Sequence, residues 1–196
     1  MQPIILATHN AHKLQELQTL LQDMPFALQI APADLPEVEE TGLTFIENAL
    51  LKARSAAKHT GKGALGDDSG LVVPYLNGAP GIYSARYAGH PVNFQKNIAK
   101  LLNELHSAPE DKRIAYFYCC LVLMRHADDP QPIIAEGIWH GKIMLTPKGE
   151  HGFGYDPVFW VEEKQCSAAE LVAEQKNKIS HRGRAIQLLR EKLKDY

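Results

Sequence analysis

Two neighbouring carboxylates, Asp67 and Asp68, are the residues of this chain best suited to chemistry. They follow the small, apolar run 63–66 and are followed by Ser69 and Gly70. Two adjacent acids at a strand end are costly to bury unless they share a cation or a proton. A simple Asx or Ser/Thr turn requires only one such acid. The pair therefore predicts a site that holds a metal ion and activates a water molecule.

A second set of polar groups joins an apolar strand pattern, residues 4–7, to a helical pattern. Thr8, Asn10 and Lys13 offer a hydroxyl, an amide and an ammonium at the start of that helix. Free amides and the helix dipole favour an anion at such a junction. The glycines of a Walker loop are missing, however. Taken alone, helix capping beside a solvated lysine explains the segment more often than phosphate binding does.

Acidic residues also precede the second predicted helix, which residues 44–47 open as a capping box. Magnesium is typically bound through one or two carboxylates together with substrate phosphates. Glu39 or Glu40 would then have to meet Asp68, although complementarity to the helix dipole explains either glutamate alone. Lys52 shares the apolar face of this helix, which favours a functional lysine and a snorkelling one about equally.

The last third of the chain contains residues suited to a planar ligand. Phe153 stands between two glycines, which suits a ring that presents its face to a base, and such stacking contributes about 1–3 kcal/mol. Asp156 would accept a hydrogen bond from a ring nitrogen. Ser167 and Glu170 are spaced as a capping box that opens one carboxyl-terminal helix, and residues 184–194 are expected to form the last one. Lys176, His181 and Arg182 are expected to precede that last helix, where the dipole disfavours cations. That placement favours a ligand-binding role over a plain basic turn.

Composition narrows the remaining choices. The chain has 196 residues, 45% of them hydrophobic, and a formal net charge of −2, which predicts one core and a single domain over residues 1–196. The sequence lacks the basic stripe that would predict a nucleic-acid partner. No apolar stretch reaches the ~20 residues that a membrane helix needs. The short apolar run after Met1 lacks a basic flank, so we expect no signal peptide and a cytoplasmic protein. The three cysteines have neither a disulfide pattern nor metal-ligand spacing, and Cys119 and Cys120 are expected to be buried thiols.

Strand and helix patterns interleave along the whole chain, which predicts an α/β fold with a mixed sheet. Six motifs then occur in an order that resembles the Ham1/RdgB family, the dITP/XTP or inosine triphosphate pyrophosphatases, and its bacterial branch in particular. The resemblance extends from Ile4 to about Leu189. The motifs are residues 8–13, 40–49, 67–71, 78–86, 152–157 and 180–183.

The resemblance implies an elongated central mixed sheet with flanking helices, two lobes around a nucleotide cleft, and a homodimer. It also implies Mg²⁺-dependent hydrolysis of dITP, ITP and XTP to the monophosphate and pyrophosphate by attack of water on the α-phosphate. Discrimination against other bases would rest on the 6-oxo group, because donors placed for an acceptor are left unpaired by an amino group.

Residue roles follow from the resemblance position by position. Asp68 would be the general base and a metal ligand, and Glu40 the second metal carboxylate, while Asp67 is left with a supporting role. Members of the family usually have glycine where this chain has His9, which lacks the freedom of glycine for positive φ. The implied substrate-binding residues are Thr8, His9, Asn10, Ala11, His12, Lys13, Lys52, Ser69, Phe153, Gly154, Tyr155, Asp156, Lys176, His181 and Arg182.

Two other functions compete with this one. A related hydrolase would act on modified pyrimidine triphosphates, but Phe153 and residues 180–183 match the purine-selective pattern. A nucleotide sensor would bind a triphosphate without cleaving it. The intact pair of Asp67 and Asp68 argues against a sensor, which gains nothing from a base beside the α-phosphate.

Overall fold

The computed structural model describes residues 3–8, 10–24 and 26–194. Within these ranges the strands are β1 (Pro3–Ala7), β2 (Ala27–Ile30), β3 (Gly63–Val72), β4 (Ile114–Met124), β5 (Ile133–Ile143), β6 (Phe159–Val161) and β7 (Cys166–Ser167). The α-helices are α1 (Ala11–Leu21), α2 (Phe45–Thr60), α3 (Phe94–Glu104), α4 (Ala173–Ile179) and α5 (His181–Leu193).

The strands form one mixed sheet with the order β2-β1-β3-β4-β5-β6-β7. β1 pairs in parallel with β2 and β3, whereas β6 pairs antiparallel with β5 and β7. The predicted α/β class with a mixed sheet and flanking helices is therefore confirmed. None of the helices in the described part of the chain is long and apolar enough to cross a membrane.

The chain divides into two compact units. The first comprises Met1–Asp68, Cys119–Gly137 and Arg182–Tyr196, and the second comprises Ser69–Tyr118 and Ile138–His181. The boundaries fall inside β3, β4 and β5, so each of these long strands contributes residues to both units. The expectation of a single domain over residues 1–196 stays a prediction.

Each unit has its own apolar core. In the first, Leu17 and Leu21 of α1 pack with Leu6, Leu65 and other buried residues, as the spacing of the leucines in α1 predicts. In the second, Leu101 and Leu105 belong to a cluster with ring contacts among Phe117, Trp139 and Phe159. Each core is supplied by both strands and helices of its own unit.

The acid pair does not end a strand, contrary to the sequence prediction. β3 runs through Asp67 and Asp68 to Val72. Its parallel neighbour β1 stops first, because Ala7 is its last residue and pairs with Gly66. The strand that ends at the acids is thus β1, and sequence periodicity carries no information about where a neighbouring strand stops.

Gly66 determines how closely α2 approaches the sheet. A Cβ atom at this position would lie 2.2 Å from the carbonyl oxygen of Ala49 and 2.9 Å from the nitrogen of Ala53. Both values are far inside van der Waals contact, so α2 packs directly on the backbone of β3. The group that approaches the backbone at this glycine is therefore a helix.

The carboxyl-terminal helices begin at different residues from those predicted. The capping box of Ser167 and Glu170 forms, but it opens only the 3-10 turn Ala168–Glu170. Leu171 is extended and buried, and its burial in the core interrupts helical structure until α4 begins. α5 begins at His181 rather than at Arg184, so His181 and Arg182 lie in its first turn and Lys176 lies in α4.

Candidate active site

The two acids of β3 have separate partners. Consecutive side chains of a strand point to opposite faces, and both carboxylates are buried, with only 1% of Asp67 and 4% of Asp68 exposed. Asp67 pairs with Lys13 and Arg182, whereas Asp68 pairs with Lys52. The adjacency of the two acids in the sequence suggested one shared site, but in the structure each acid has its own cationic partners.

Asp68 lies in a cluster with Lys52 and Glu40. The Lys52 ammonium donates to Asp68 Oδ1 at 2.7 Å and lies 2.5 Å from Glu40 Oε1. It also donates to the main-chain carbonyl of Asp67 at 3.2 Å. Lys52 reaches this position because α2 packs directly on β3 at Gly66, so its side chain crosses to the strand. The predicted inward orientation of Lys52 is thereby explained.

The loop before α2 places Glu40 in the cluster and leaves Glu39 exposed. Thr44 and Glu47 form the predicted capping box. The side-chain oxygen of Asn48 accepts a hydrogen bond from the amide of Gly42 at 2.8 Å, which ties the loop to the first turn of α2. The sequence left Glu39 and Glu40 undecided as partners of Asp68, and Glu40 is the one beside Lys52.

Burial is the largest single effect on the pKa values of Asp68 and Lys52, and charges oppose it at both residues. It raises the pKa of Asp68 above the ordinary aspartate value, although the charges of Lys52 and Lys13 partly oppose that rise. Burial by itself would lower the pKa of Lys52, but the carboxylates of Asp68 and Glu40 outweigh it and raise that pKa. Lys52 therefore stays charged, and Asp68 is a stronger base than an exposed aspartate.

One oxygen of this cluster has no partner. Asp68 Oδ2 is buried and accepts no hydrogen bond from the described residues. An unsatisfied buried carboxylate oxygen is costly, so its open position suits a ligand or a water. No group of three or more His, Cys, Asp or Glu side chains in the described ranges could hold a metal ion. Two carboxylates are nevertheless a donor set that fits Mg²⁺ when substrate phosphates complete the coordination.

The segment 8–13 begins α1 as a capped helix. Asn10 is the N-cap, and its Oδ1 accepts from the amides of His12 at 3.0 Å and Lys13 at 3.1 Å. Thr8 Oγ1 accepts from the amide of Asn10 at 3.2 Å. Capping, the simpler explanation, is therefore present, and it uses two of the amides at the helix start. Ala11 and His12 are exposed, and His9 lies outside the described residues.

Lys13 is not the solvated lysine that capping alone predicts. Its ammonium donates to Asp67 Oδ1 at 3.4 Å, and 14% of its side chain remains exposed. On the other side, Arg182 donates from Nε to Asp67 Oδ2 at 3.2 Å and from Nη1 to Glu16. Burial by itself would lower the pKa of Arg182, but the charges of Asp67 and Glu16 are among the effects that outweigh it and raise that already high pKa.

The sequence predicted neither the partners of Asp67, which are Lys13 and Arg182, nor the contact of Arg182 with Glu16. Glu16 follows Lys13 by three residues, so the two share a face of α1, and this spacing was available from the sequence. Asp67 contacts residues 54 and 115 positions away along the chain. Such contacts depend on the order of strands in the sheet, which local patterns do not specify.

In the second unit, Asp156 and Lys176 form a buried ion pair beside Phe153. The Lys176 ammonium donates to Asp156 Oδ2 at 2.7 Å and lies 5.1 Å from the centroid of the Phe153 ring. The amide of Phe153 donates to the same oxygen at 2.8 Å. Gly152 has a φ of +73°, and a Cβ there would lie 2.1 Å from that oxygen. The glycine therefore makes room for Asp156, and the loop presents an aromatic ring with a cation at its face.

The remaining predicted residues of this unit are held by the core to different degrees. Tyr155 is buried, and its hydroxyl donates to the carbonyl of Ser84 at 2.9 Å. The His181 ring stacks on Phe117, with centroids 4.8 Å apart and planes 14° apart. Ser69 and Gly154 are half-buried. The Tyr155 side chain therefore serves packing, and one face of the His181 ring is covered.

Comparisons of sequence and of structure with known proteins point to the same family over almost the whole chain. The model of the Ham1 family matches residues 4–192. A dITP/XTP pyrophosphatase from Vibrio cholerae is 54% identical over 190 residues, which cover 96% of this chain and 95% of that protein. One from Legionella pneumophila strain Paris is 55% identical over 197 residues and 100% of both chains. The structure of a HAM1 protein from Coxiella burnetii has a TM-score of 0.93 at 46% identity and covers 100% of both chains.

Proposed function

Since this chain belongs to the Ham1 family, as its motifs predict, we propose that it hydrolyses deaminated purine nucleoside triphosphates. The substrates are dITP, ITP and XTP, and the products are the nucleoside monophosphate and pyrophosphate. The observation that supports this most directly is Asp68, a buried carboxylate with an open oxygen beside Lys52 and Glu40. That arrangement is typical of a carboxylate that activates water near a cation.

The chemical step assigned to Asp68 is proton removal from the attacking water. The water oxygen forms a bond to the α-phosphorus while the bond from that phosphorus to the oxygen bridging to the β-phosphorus breaks. The water proton passes to Asp68, whose raised pKa makes it a better acceptor than an ordinary aspartate. Pyrophosphate leaves with the bridging oxygen.

Cations of the same unit are suited to the phosphates. Lys13 and Lys52 carry ammonium groups near Asp68, and lysine binds phosphate as a point charge. Glu40 and Asp68 are the residues that would hold Mg²⁺, which would neutralise charge that develops on the phosphate oxygens. Lys52 ties both carboxylates to α2, so their spacing is maintained by the packing of this helix.

Residues of the second unit are suited to the base. Phe153 offers a ring for stacking, and Lys176 and Asp156 are a donor and an acceptor of hydrogen bonds for a 6-oxopurine. His181, Ser69 and the backbone at Gly154 and Tyr155 are the further contacts inferred from the resemblance. The resemblance also implies Arg182, but this residue belongs to the first unit and donates to Asp67 and Glu16. The same resemblance supports a homodimer, which light scattering during gel filtration would test.

The experiment is pyrophosphate release in the presence of Mg²⁺ with dITP, XTP, ITP, dATP, GTP and dUTP in parallel. We expect turnover of the first three to exceed that of the others, and removal of Mg²⁺ with a chelator to abolish it. If no nucleotide is turned over, an enzymatic function is excluded. A preference for dUTP would exclude selectivity for purines. Binding of dITP without turnover would indicate a sensor.

A further inference from the structure

Asp67 has a geometry that the chemistry assigned to Asp68 does not use. Its side chain is 0% exposed, and its two oxygens are divided between two cations. Oδ1 accepts from the Lys13 ammonium at 3.4 Å, and Oδ2 accepts from Arg182 Nε at 3.2 Å. The thiol of Cys119 is a weaker donor to Oδ1 at 3.9 Å. Both oxygens of Asp67 thus have a cationic partner, whereas Asp68 is paired on one oxygen only.

The three charged residues belong to elements far apart in the sequence. Lys13 is in the first turn of α1, Asp67 is in β3 just beyond the end of β1, and Arg182 is in the first turn of α5. A carboxylate is suited to join them because each oxygen can accept from a different donor. Arg182 is also fixed from its other side by Glu16, so Asp67 is held against a cation that is itself held in place.

Lys13 and Arg182 differ in how much of each side chain can reach a ligand. Only 2% of the Arg182 side chain is exposed, against 14% of the Lys13 side chain. Lysine has three ammonium protons and a flexible stem, and Asp67 is its one carboxylate partner among the described residues. A single contact of this kind restrains the ammonium while leaving protons for an anion.

We propose, on the basis of the function proposed above, that Asp67 is a positioning residue that holds the Lys13 ammonium in place for the phosphate tail. Arg182 holds the other oxygen of Asp67, so the carboxylate cannot turn away from Lys13. Asp67 thus acts on phosphate binding through Lys13 and without touching the substrate.

The test is Asp67→Asn, which preserves shape but replaces one acceptor oxygen by an NH₂ donor. In either orientation of the amide, that NH₂ faces Lys13 or Arg182, so one cation loses its acceptor. The readout is the affinity for inorganic tripolyphosphate in the presence of Mg²⁺, measured by calorimetry in the wild-type protein and in a Lys13→Met background. Because the probe has no base, it reports the phosphate contacts alone.

We expect Asp67→Asn to weaken tripolyphosphate binding about tenfold in the wild-type background. An effect of this size is usual when two residues of one charged network depend on each other. In the Lys13→Met background the same substitution should change the affinity less than twofold. Asp129→Asn is the matched control, since it also removes the charge of a buried carboxylate of this unit and should leave the affinity unchanged.

An equal loss in both backgrounds, or no loss in either, would overturn the proposal and leave Asp67 with a structural role. If Asp67→Asn does not fold, as judged by circular dichroism, the Asp67→Asn/Arg182→Met double variant removes the paired buried charges together. The comparison with and without Lys13→Met is then made in that variant. Lys13-dependent binding in a protein that hydrolyses none of the nucleotides would contradict the proposed function and leave the role of Asp67 intact.

Discussion

Two buried aspartates of the first unit, Asp68 and Asp129, are partnered in opposite ways. Asp129 accepts four hydrogen bonds at 2.6–3.0 Å, three from Arg125 and one from the amide of Gln131. The side-chain hydrogen bond from Arg125 is the main reason that the pKa of Asp129 is lowered. Asp68 is paired on one oxygen only, and burial raises its pKa.

The difference separates a structural acid from a reactive one. Asp129 closes the turn between β4 and β5. Its hydrogen-bond donors, Arg125 and the amide of Gln131, both belong to this turn. Asp68 has a buried oxygen that the protein leaves unsatisfied, at a cost in folding free energy. Such a cost is expected where a ligand or water is to be bound. The experiments below test this distinction, beginning with the largest expected effect.

Asp68→Asn should lower turnover of dITP by roughly 10²–10⁴-fold, because an amide oxygen does not take a proton from water as a carboxylate does. Pyrophosphate release under saturating Mg²⁺ measures this. Asp129→Asn is the matched variant and should retain wild-type turnover at a temperature where it is folded. Near-normal turnover of Asp68→Asn would remove Asp68 from its proposed role as the base.

Glu40→Gln should raise the Mg²⁺ concentration needed for half-maximal activity by roughly tenfold, the lower end of losses seen when groups around a metal are changed. The neutral amide retains the shape of the side chain but is a poor metal ligand. A Mg²⁺ titration at fixed dITP provides the measurement. Glu39→Gln changes the exposed neighbouring glutamate and should leave the titration unchanged, and equal effects of the two variants would contradict the assignment to Glu40.

Asp129→Asn should lower the free energy of unfolding by about 1 kcal/mol at pH 7, since charge-assisted hydrogen bonds in the turn are weakened. The pKa of Asp129 is lowered by folding, so its contribution is complete above the ordinary aspartate value of about 3.9. It is lost as the pH falls from there towards the folded pKa. Urea unfolding at several pH values should show the difference from the wild type narrowing below about pH 4. A difference in unfolding free energy that widens in acid would contradict the lowered pKa of Asp129 in the folded protein.

The smallest effect concerns the acid limb of the pH profile of kcat/KM. Because the pKa of Asp68 is raised, activity should be lost in acid at a higher pH than an ordinary aspartate would give. Lys52→Met removes the largest charge effect that lowers this pKa, so the residual activity should fall at a still higher pH. Lys62→Met, at an exposed lysine that pairs with Gln29, should leave the limb in place. A shift to lower pH in Lys52→Met would contradict the assignment.

Local patterns predicted the helical part of the site well. The capping box before α2, the inward face of Lys52 and the apolar strand β1 follow from spacing over a few residues, and all three are present. The recurrence of six motifs in order also predicted the family. Short-range physical chemistry therefore accounts for most of the residues that surround Asp68.

The partners of Asp67 and Arg182 could not be predicted in this way. Arg182 was expected to contact a base, but its Nε and Nη1 donate to Asp67 and Glu16. These contacts require β3 to lie beside β1 in the sheet and α5 to begin at His181, which are results of the whole fold. The short strand β2, mostly exposed, was missed because its four residues are too few to show a period.

Gly66 sets the position of α2, and with it that of Lys52, although it has no functional group of its own. Its side chain is a single hydrogen atom, the smallest group that an amino acid can place between a helix and a strand. A methyl group there would lie 2.2 Å from the Ala49 carbonyl oxygen, so α2 would have to retreat by about an ångström to restore a normal carbon–oxygen contact. Lys52 would retreat with it and its grip on Asp68 and Glu40 would loosen. One added methyl group at Gly66 would therefore be enough to change the distances between Lys52 and the two carboxylates.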